Sequence, residues 1–272
     1  MQPTDAEKQR LHQVSLARRQ QLVPAEPETH APAGVPIKLR SGLRYDQLLN
    51  YIRPNPSLSI LEVGVARAST TLRILAYADM LGGKPDYVGI DLFECLTDMT
   101  FVESHCSEGK RPVSKDETFA MLAQALGADV ASRIALMAGD SRQCLAQLRS
   151  AGRIFDLIFI DGGHSEELVR GDWNECQHML AAGGTILFDD YPNWGILPTI
   201  ESIDRTQWNV RPLEDYTDVF RNIDREVDDT AQLRMFQLVE VTRRASEGAT
   251  AVPGLSGTPN VITTIDPAQY HF

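Results

Sequence analysis

A doubly wound α/β fold around a mostly parallel sheet is the architecture this 272-residue sequence predicts, and three observations predict it. Five apolar runs are spread along the chain, each too short for a helix. Most of them end in glycine or an acidic residue. Longer segments with helical spacing separate them, and such alternation places helices on both faces of a parallel sheet.

Taken in order, residues 1–38 read as a partly flexible arm. Gln9 to Leu22 has the spacing of a short surface helix, and the Pro-rich stretch VPAEPETHAPAGVP after it has too few apolar residues to fold alone. A single domain is expected over 39–244. Its strands are LSILEVG (Leu58 to Gly64), DYVGIDLF (Asp86 to Phe93), RIALMAGD (Arg133 to Asp140), FDLIFIDGGH (Phe155 to His164) and GGTILFDDY (Gly183 to Tyr191). Continuous apolar runs of this kind suit strands buried on both faces. Helices are expected over Ser69 to Leu81, Lys115 to Leu126, Ser141 to Ala151 and Glu166 to Leu180, the last with Leu168, Trp173, Cys176 and Leu180 on one face. Leu233 to Arg243 alternates less cleanly and is expected to add an antiparallel edge strand. Residues 94–114 form an irregular insertion, and the Gly, Pro, Ser and Thr content after Ser246 marks 245–272 as a flexible tail.

Composition narrows the function. With 26 Lys and Arg against 37 Asp and Glu, the net charge is -11. That argues against duplex nucleic acid as partner, because phosphate binding calls for a basic face. No run approaches the roughly 20 apolar residues that span a bilayer, and the polar start lacks a secretory core, so a cytoplasmic protein with no membrane partner is expected. The four cysteines, Cys95, Cys106, Cys144 and Cys176, are widely spaced without a Cys-x-x-Cys pair. They suit reduced, mostly buried thiols better than a disulfide framework or a zinc site.

In an open parallel sheet the ligand lies beyond the carboxyl ends of the strands. Gly64 there permits a tight turn and close approach to backbone, and Ser69 or Thr70 is placed to cap the next helix. A dinucleotide fingerprint would need glycines where Ala66 and Ser69 stand, which disfavours a nicotinamide enzyme. Asp91 lies where a carboxylate accepts hydrogen bonds from ribose hydroxyls, with a solvated turn as its bland alternative. Asp140 and Ser141 flank another helix start, where a simple cap is the alternative. Asp161, Asp189 and Asp190 converge at the ends of adjacent strands. Clustered carboxylates raise one another's pKa unless a cation is present, and Mg2+ would resolve that conflict; the alternative is one capping Asp and two solvated ones. His164, three residues after Asp161, is a candidate base.

Together LEVGVARAS, GIDLF, GDS, FIDGGH and GGTILFDDY resemble the class I S-adenosylmethionine-dependent methyltransferases. More narrowly they resemble the small-molecule O-methyltransferases of the macrocin type, known as methyltransferase 24. The resemblance covers about Leu39 to Arg243. It implies a Rossmann-like sheet of seven strands with the last antiparallel. It also implies S-adenosylmethionine beside Glu62 and Gly64 through its amino-acid part, Asp91 through its ribose, and Asp140 with Ser141 through its adenine. Ala66, Ser69, Leu92 and Asp161 are counted with this cofactor-lining set. In metal-dependent members the positions matching Asp161, Asp189 and Asp190 hold Mg2+, and the position of His164 carries a catalytic base, with Asp161 as a second proton acceptor.

The expected reaction is methyl transfer to a hydroxyl of a small metabolite: a sugar, natural product or phenol. Rival readings are a metal-independent N- or C-methyltransferase and an inactive cofactor-binding subunit. Trp194, Trp208 and Tyr216 are candidates for contact with an acceptor ring, although large rings more often belong to the core. The apolar residues of the arm make a homodimer possible.

Overall fold

The computed structural model describes residues 43–52, 58–97, 114–214, 218–222 and 232–244. The expected arm, the tail, Cys106, Tyr216 and residues 98–113 of the insertion lie outside the described residues.

Strands β1 (Ser59–Val63), β2 (Asp86–Asp91), β3 (Ile134–Ala138), β4 (Phe155–Ile160) and β5 (Leu180–Tyr191) are parallel and lie in the order β3-β2-β1-β4-β5. Their unbroken apolar character has a direct cause. In β1, Ile60 packs with Tyr87, Leu157 and Phe159 on one face, while Leu61 and Val63 pack with Ile90, Ile158 and Ile160 on the other. Neither face meets water, so alternation with polar residues is lost.

The helices are α1 (Leu43–Leu48), α2 (Ser69–Met80), α3 (Lys115–Ala131), α4 (Ser141–Ser150), α5 (Glu166–Cys176) and α6 (Ile196–Ser202). Ser114 and Glu117 form a reciprocal capping box at the start of α3, and Gly127 leaves helical geometry at φ +81°, so the first stretch ends at Leu126 as its spacing predicts. The expected apolar face of α5 needs correction. Val169, Asp172, Trp173 and Cys176 are the buried residues, Leu168 is only half-buried, and Leu180 already belongs to β5. The helix stops at Cys176, and its buried stripe begins one residue later than expected.

Beyond β5 come β6 (Trp208–Pro212), β7 (Asp218–Asn222) and β8 (Gln232–Arg243). The sheet path continues β5-β8-β6, with β8 antiparallel to both neighbours. The Leu233 to Arg243 run is therefore antiparallel as expected but is not an edge strand, because β6 covers its outer side. The seven strands of that path match the expected count; an eighth, β7, pairs with Gln232 to Phe236 in the first half of β8.

Strand order turns at β1, which has β2 and β3 on one side and β4 and β5 on the other. A crevice opens above the carboxyl ends of β1 and β4 at such a reversal. At the rim, the Glu94 carboxylate accepts a 2.9 Å hydrogen bond from the Lys115 amide, joining the two ends of the insertion.

Candidate active site

Gly64 sits at the reversal with φ +93°, and a Cβ there would lie 2.1 Å from the Asp161 carbonyl oxygen. The group that needs the missing side chain is thus the β4 backbone, which is also tied to β1 by Asp161 N donating to Val63 O at 2.8 Å. The turn into α2 then uses two further left-handed residues, Ala66 (φ 48°) and Ala68 (φ 57°). Ala68 is the N-cap and Ser69 the first helical residue, with no side chain capping the helix. The expected cap by Ser69 or Thr70 is corrected accordingly: the left-handed Ala68 starts the helix one residue too early for either hydroxyl. Among the described residues, then, the first turn of α2 has no side-chain cap, an arrangement suited to an anionic group.

Glu62 lies fully buried behind this turn. Its Oε2 accepts from Thr71 Oγ1 at 2.7 Å and from the Tyr87 hydroxyl, and Oε1 has no partner among the described residues. Burial pushes its carboxyl up to about 7, against the opposing effect of those two donors. Asp91, at the end of β2, accepts from Ala66 N and Leu92 N at 2.7 Å each. Burial raises its pKa, and the backbone amides hold the rise back. Asp91 therefore braces the β1–α2 turn, and Leu92 supplies one of the bracing amides.

Asp140 is the N-cap of α4, accepting from Arg142 N at 2.9 Å and pairing with the Arg142 guanidinium at 2.6 Å. That guanidinium lowers its pKa. Ser141 Oγ donates at 2.6 Å to Asp172 Oδ1 on α5. Asp172 is buried, its Oδ2 lacks a partner among the described residues, and burial pushes its carboxyl up to about 7. Asp172 was invisible as a site residue in sequence, where it reads as one more acid on a charged helix.

Asp161, Asp189 and Asp190 do come together, with three residues around them. Asp190 adopts φ 60°. Consecutive strand residues point to opposite faces; this left-handed kink lets both Asp189 and Asp190 meet one guanidinium. Arg44 of α1 donates from Nε to Asp189 Oδ1 at 2.5 Å, and from Nη2 to Asp189 Oδ2 at 3.1 Å and Asp190 Oδ1 at 3.2 Å. The Tyr45 hydroxyl donates to Asp189 Oδ2 at 2.7 Å and lies 3.5 Å from Asp161 Oδ2. Burial disfavours the Arg44 charge, but Asp189, Tyr45 and Asp190 outweigh it and raise its pKa; burial and the neighbouring carboxylates raise that of Tyr45.

His164 is buried, with Nε2 2.9 Å from Asp190 Oδ2 and Nδ1 without a partner among the described residues. Its ring stacks on Trp194 at 4.5 Å and 4°. The two loops carrying these rings are clasped by Gly195 N donating to His164 O at 2.9 Å. Of the other ring candidates, Trp208 is core, edge-on to Trp173 at 5.0 Å. Arg44 and Tyr45 went unnoticed in sequence because they lie more than a hundred residues from the acids they serve, with no motif to mark them.

Asp161, His164 and Asp190 each offer a ligand atom within 4.8 Å of the others, a spacing suited to a cation. The expected trio fits an ion less well. Both oxygens of Asp189 are committed to Arg44 and Tyr45, and Asp190 is divided between Arg44 and His164. With Arg44 seated, these residues do not form a free Mg2+ site.

Residues 61–191 match the family model Methyltransf_24, a methyltransferase domain, which runs from β1 to the end of β5. No curated protein matches the sequence. Among solved structures, an O-methyltransferase from Bacillus cereus in complex with S-adenosylhomocysteine is similar, with 17% identity, 88% of this chain and 92% of that chain covered, and a TM-score of 0.44. A TDP-rhamnose 3'-O-methyltransferase of calicheamicin biosynthesis shares 16% identity over 87% of this chain and 96% of that one, with a TM-score of 0.46. An rRNA methylase from Streptococcus thermophilus shares 9% over 75% and 97%, at 0.44. Likeness at these levels says nothing about the acceptor. The matched domain leads to one conclusion: residues 61–191 form a methyltransferase domain of the Methyltransf_24 type, and the protein is an S-adenosylmethionine-dependent methyltransferase.

Proposed function

We propose that the protein methylates a hydroxyl of a small molecule, with His164 as the base. The observation that carries this reading is the buried His164–Asp190 pair. An Asp190 carboxylate 2.9 Å from Nε2 keeps the proton on that nitrogen, which leaves the Nδ1 lone pair to accept another. Stacking on Trp194 fixes the ring plane.

The residues around the crevice fit S-adenosylmethionine. The uncapped first turn of α2 suits its carboxylate, Asp91 its ribose, and the Ser141 end of α4 its adenine, with Glu62, Gly64, Ala66, Ser69, Leu92 and Asp161 as the surrounding wall. Bound there, the sulfonium supplies the methyl group and leaves as a neutral thioether. The acceptor oxygen forms the new bond to carbon as the carbon–sulfur bond breaks, and His164 takes the hydroxyl proton. In-line placement and exclusion of water are what the protein adds. Mg2+ assistance, expected from the three carboxylates, has no step in this scheme, because Arg44 already engages both oxygens of Asp189 and one of Asp190. The net acidity supports a small acceptor over nucleic acid.

The test is transfer of labelled methyl from S-adenosylmethionine to a panel of sugars, phenols and amines. Label on oxygen acceptors with release of S-adenosylhomocysteine is the expected result. Label on amines alone points to the N-methyltransferase reading, and cofactor binding without transfer to any acceptor points to a binding subunit.

A further inference from the structure

We propose that Arg44 is the resident cation of the carboxylate cluster, and that its seat and a divalent ion are mutually exclusive. Four features argue for it. Nε and Nη2 take both oxygens of Asp189, and Nη2 also reaches Asp190, so one buried planar group spans two acids. Tyr45, its neighbour in α1, adds a second donor to Asp189 and comes close to Asp161. The guanidinium also lies over the rings of Tyr45 at 4.4 Å and Phe236 at 5.2 Å, which favours a weakly hydrated cation at this spot. Finally, α1 and the turn after it are fastened to the body, Asp46 to Arg73 of α2 and the Tyr51 hydroxyl to Glu240 of β8.

A divalent ion held by the same acids would need their oxygens at about 2.1 Å and would face the guanidinium at close range with little water between. One cation must therefore leave before the other enters. The seating of Arg44 decides which cation the acids hold, and with it whether the acceptor hydroxyl meets a metal or a set of hydrogen-bond donors. That consequence for catalysis rests on the proposed function; the exclusion itself does not.

The experiment is Mn2+ titration followed by electron paramagnetic resonance on the full chain, with S-adenosylhomocysteine affinity measured in the same samples. Arg44→Gln is expected to bind Mn2+ at least about tenfold more tightly than the wild type, and a further Asp190→Asn to abolish the gain. Equal affinity in wild type and Arg44→Gln, whether tight or undetectable, overturns the proposal. Should Arg44→Gln fail to fold, Arg44→Lys decides: its ammonium cannot span both acids, so Mn2+ binding must again exceed that of the wild type, and equality overturns. Failure to bind S-adenosylhomocysteine would count against the functional reading and leave the cation result standing.

Discussion

His164 Nε2 and Asp190 Oδ2 lie 2.9 Å apart although His164 belongs to the loop after β4 and Asp190 to the end of strand β5. The pair is held by its surroundings: the Gly195 amide clasps the His164 carbonyl, and Trp194 covers the ring. His164→Ala should lower kcat by roughly a hundredfold or more while leaving S-adenosylhomocysteine affinity within about twofold. Asp190→Asn should lower kcat too, by losing the tautomer. Steady-state kinetics and cofactor calorimetry on the same preparations check both.

Gly64→Ala should destabilise the protein by about 3 kcal/mol or more, since the new methyl meets backbone and φ is left-handed. Urea denaturation measures the loss. Gly82→Ala, also at positive φ but with nothing within 4 Å of its Cβ, separates strain from overlap and should cost clearly less.

Glu62 and Asp172 predict a stability that falls with rising pH. Burial pushes each carboxyl up to about 7, from ordinary values of 4.5 and 3.8. The folded state thus keeps protons that the unfolded chain releases. The contribution is complete below the ordinary carboxyl range and is lost as pH rises through about 7, by up to about 3 kcal/mol for Glu62 and about 4 kcal/mol for Asp172. Denaturation of the ligand-free protein at about pH 5 and pH 8 should show the lower stability at pH 8, and Glu62→Gln with Asp172→Asn should narrow the difference.

Arg44→Gln leaves Asp189 buried without its cation and should cost about 3–5 kcal/mol in metal-free buffer. Thermal unfolding with and without millimolar Mn2+ checks this. The ion should recover part of the loss in the variant and give little gain in the wild type.

Asp91→Ala removes the acceptor for the Ala66 and Leu92 amides and should weaken S-adenosylhomocysteine binding by about tenfold or more. A thermal-shift titration reads the effect, which the brace assigns to loss of the turn as well as of any ribose contact.

The parallel core was legible because Leu61, Ile90, Ile158 and Ile186 are buried from both sides and leave the sequence no polar alternation. The second half of the sheet was not. β6 is only five residues long with a proline at its end, and β8 reads like an edge strand until β6 is seen beside it. The acids of the site were visible because each stands at the end of an apolar run. Arg44 and Tyr45 were hidden for the opposite reason: they sit on a six-residue helix far from those acids in sequence, and only folding brings them to Asp189. Ser69 was misjudged as a cap because two left-handed alanines cannot be read from their identity.

The bond from Lys115 N to Glu94 makes the chain depart and return at nearly one point. The two anchors are fixed relative to each other, and the entropy of closing a loop between such points grows only slowly with its length. Segments of other lengths exchanged between these two anchors should therefore leave β2 and β3 undisturbed, which gives an engineer a tolerant position at the rim of the sheet.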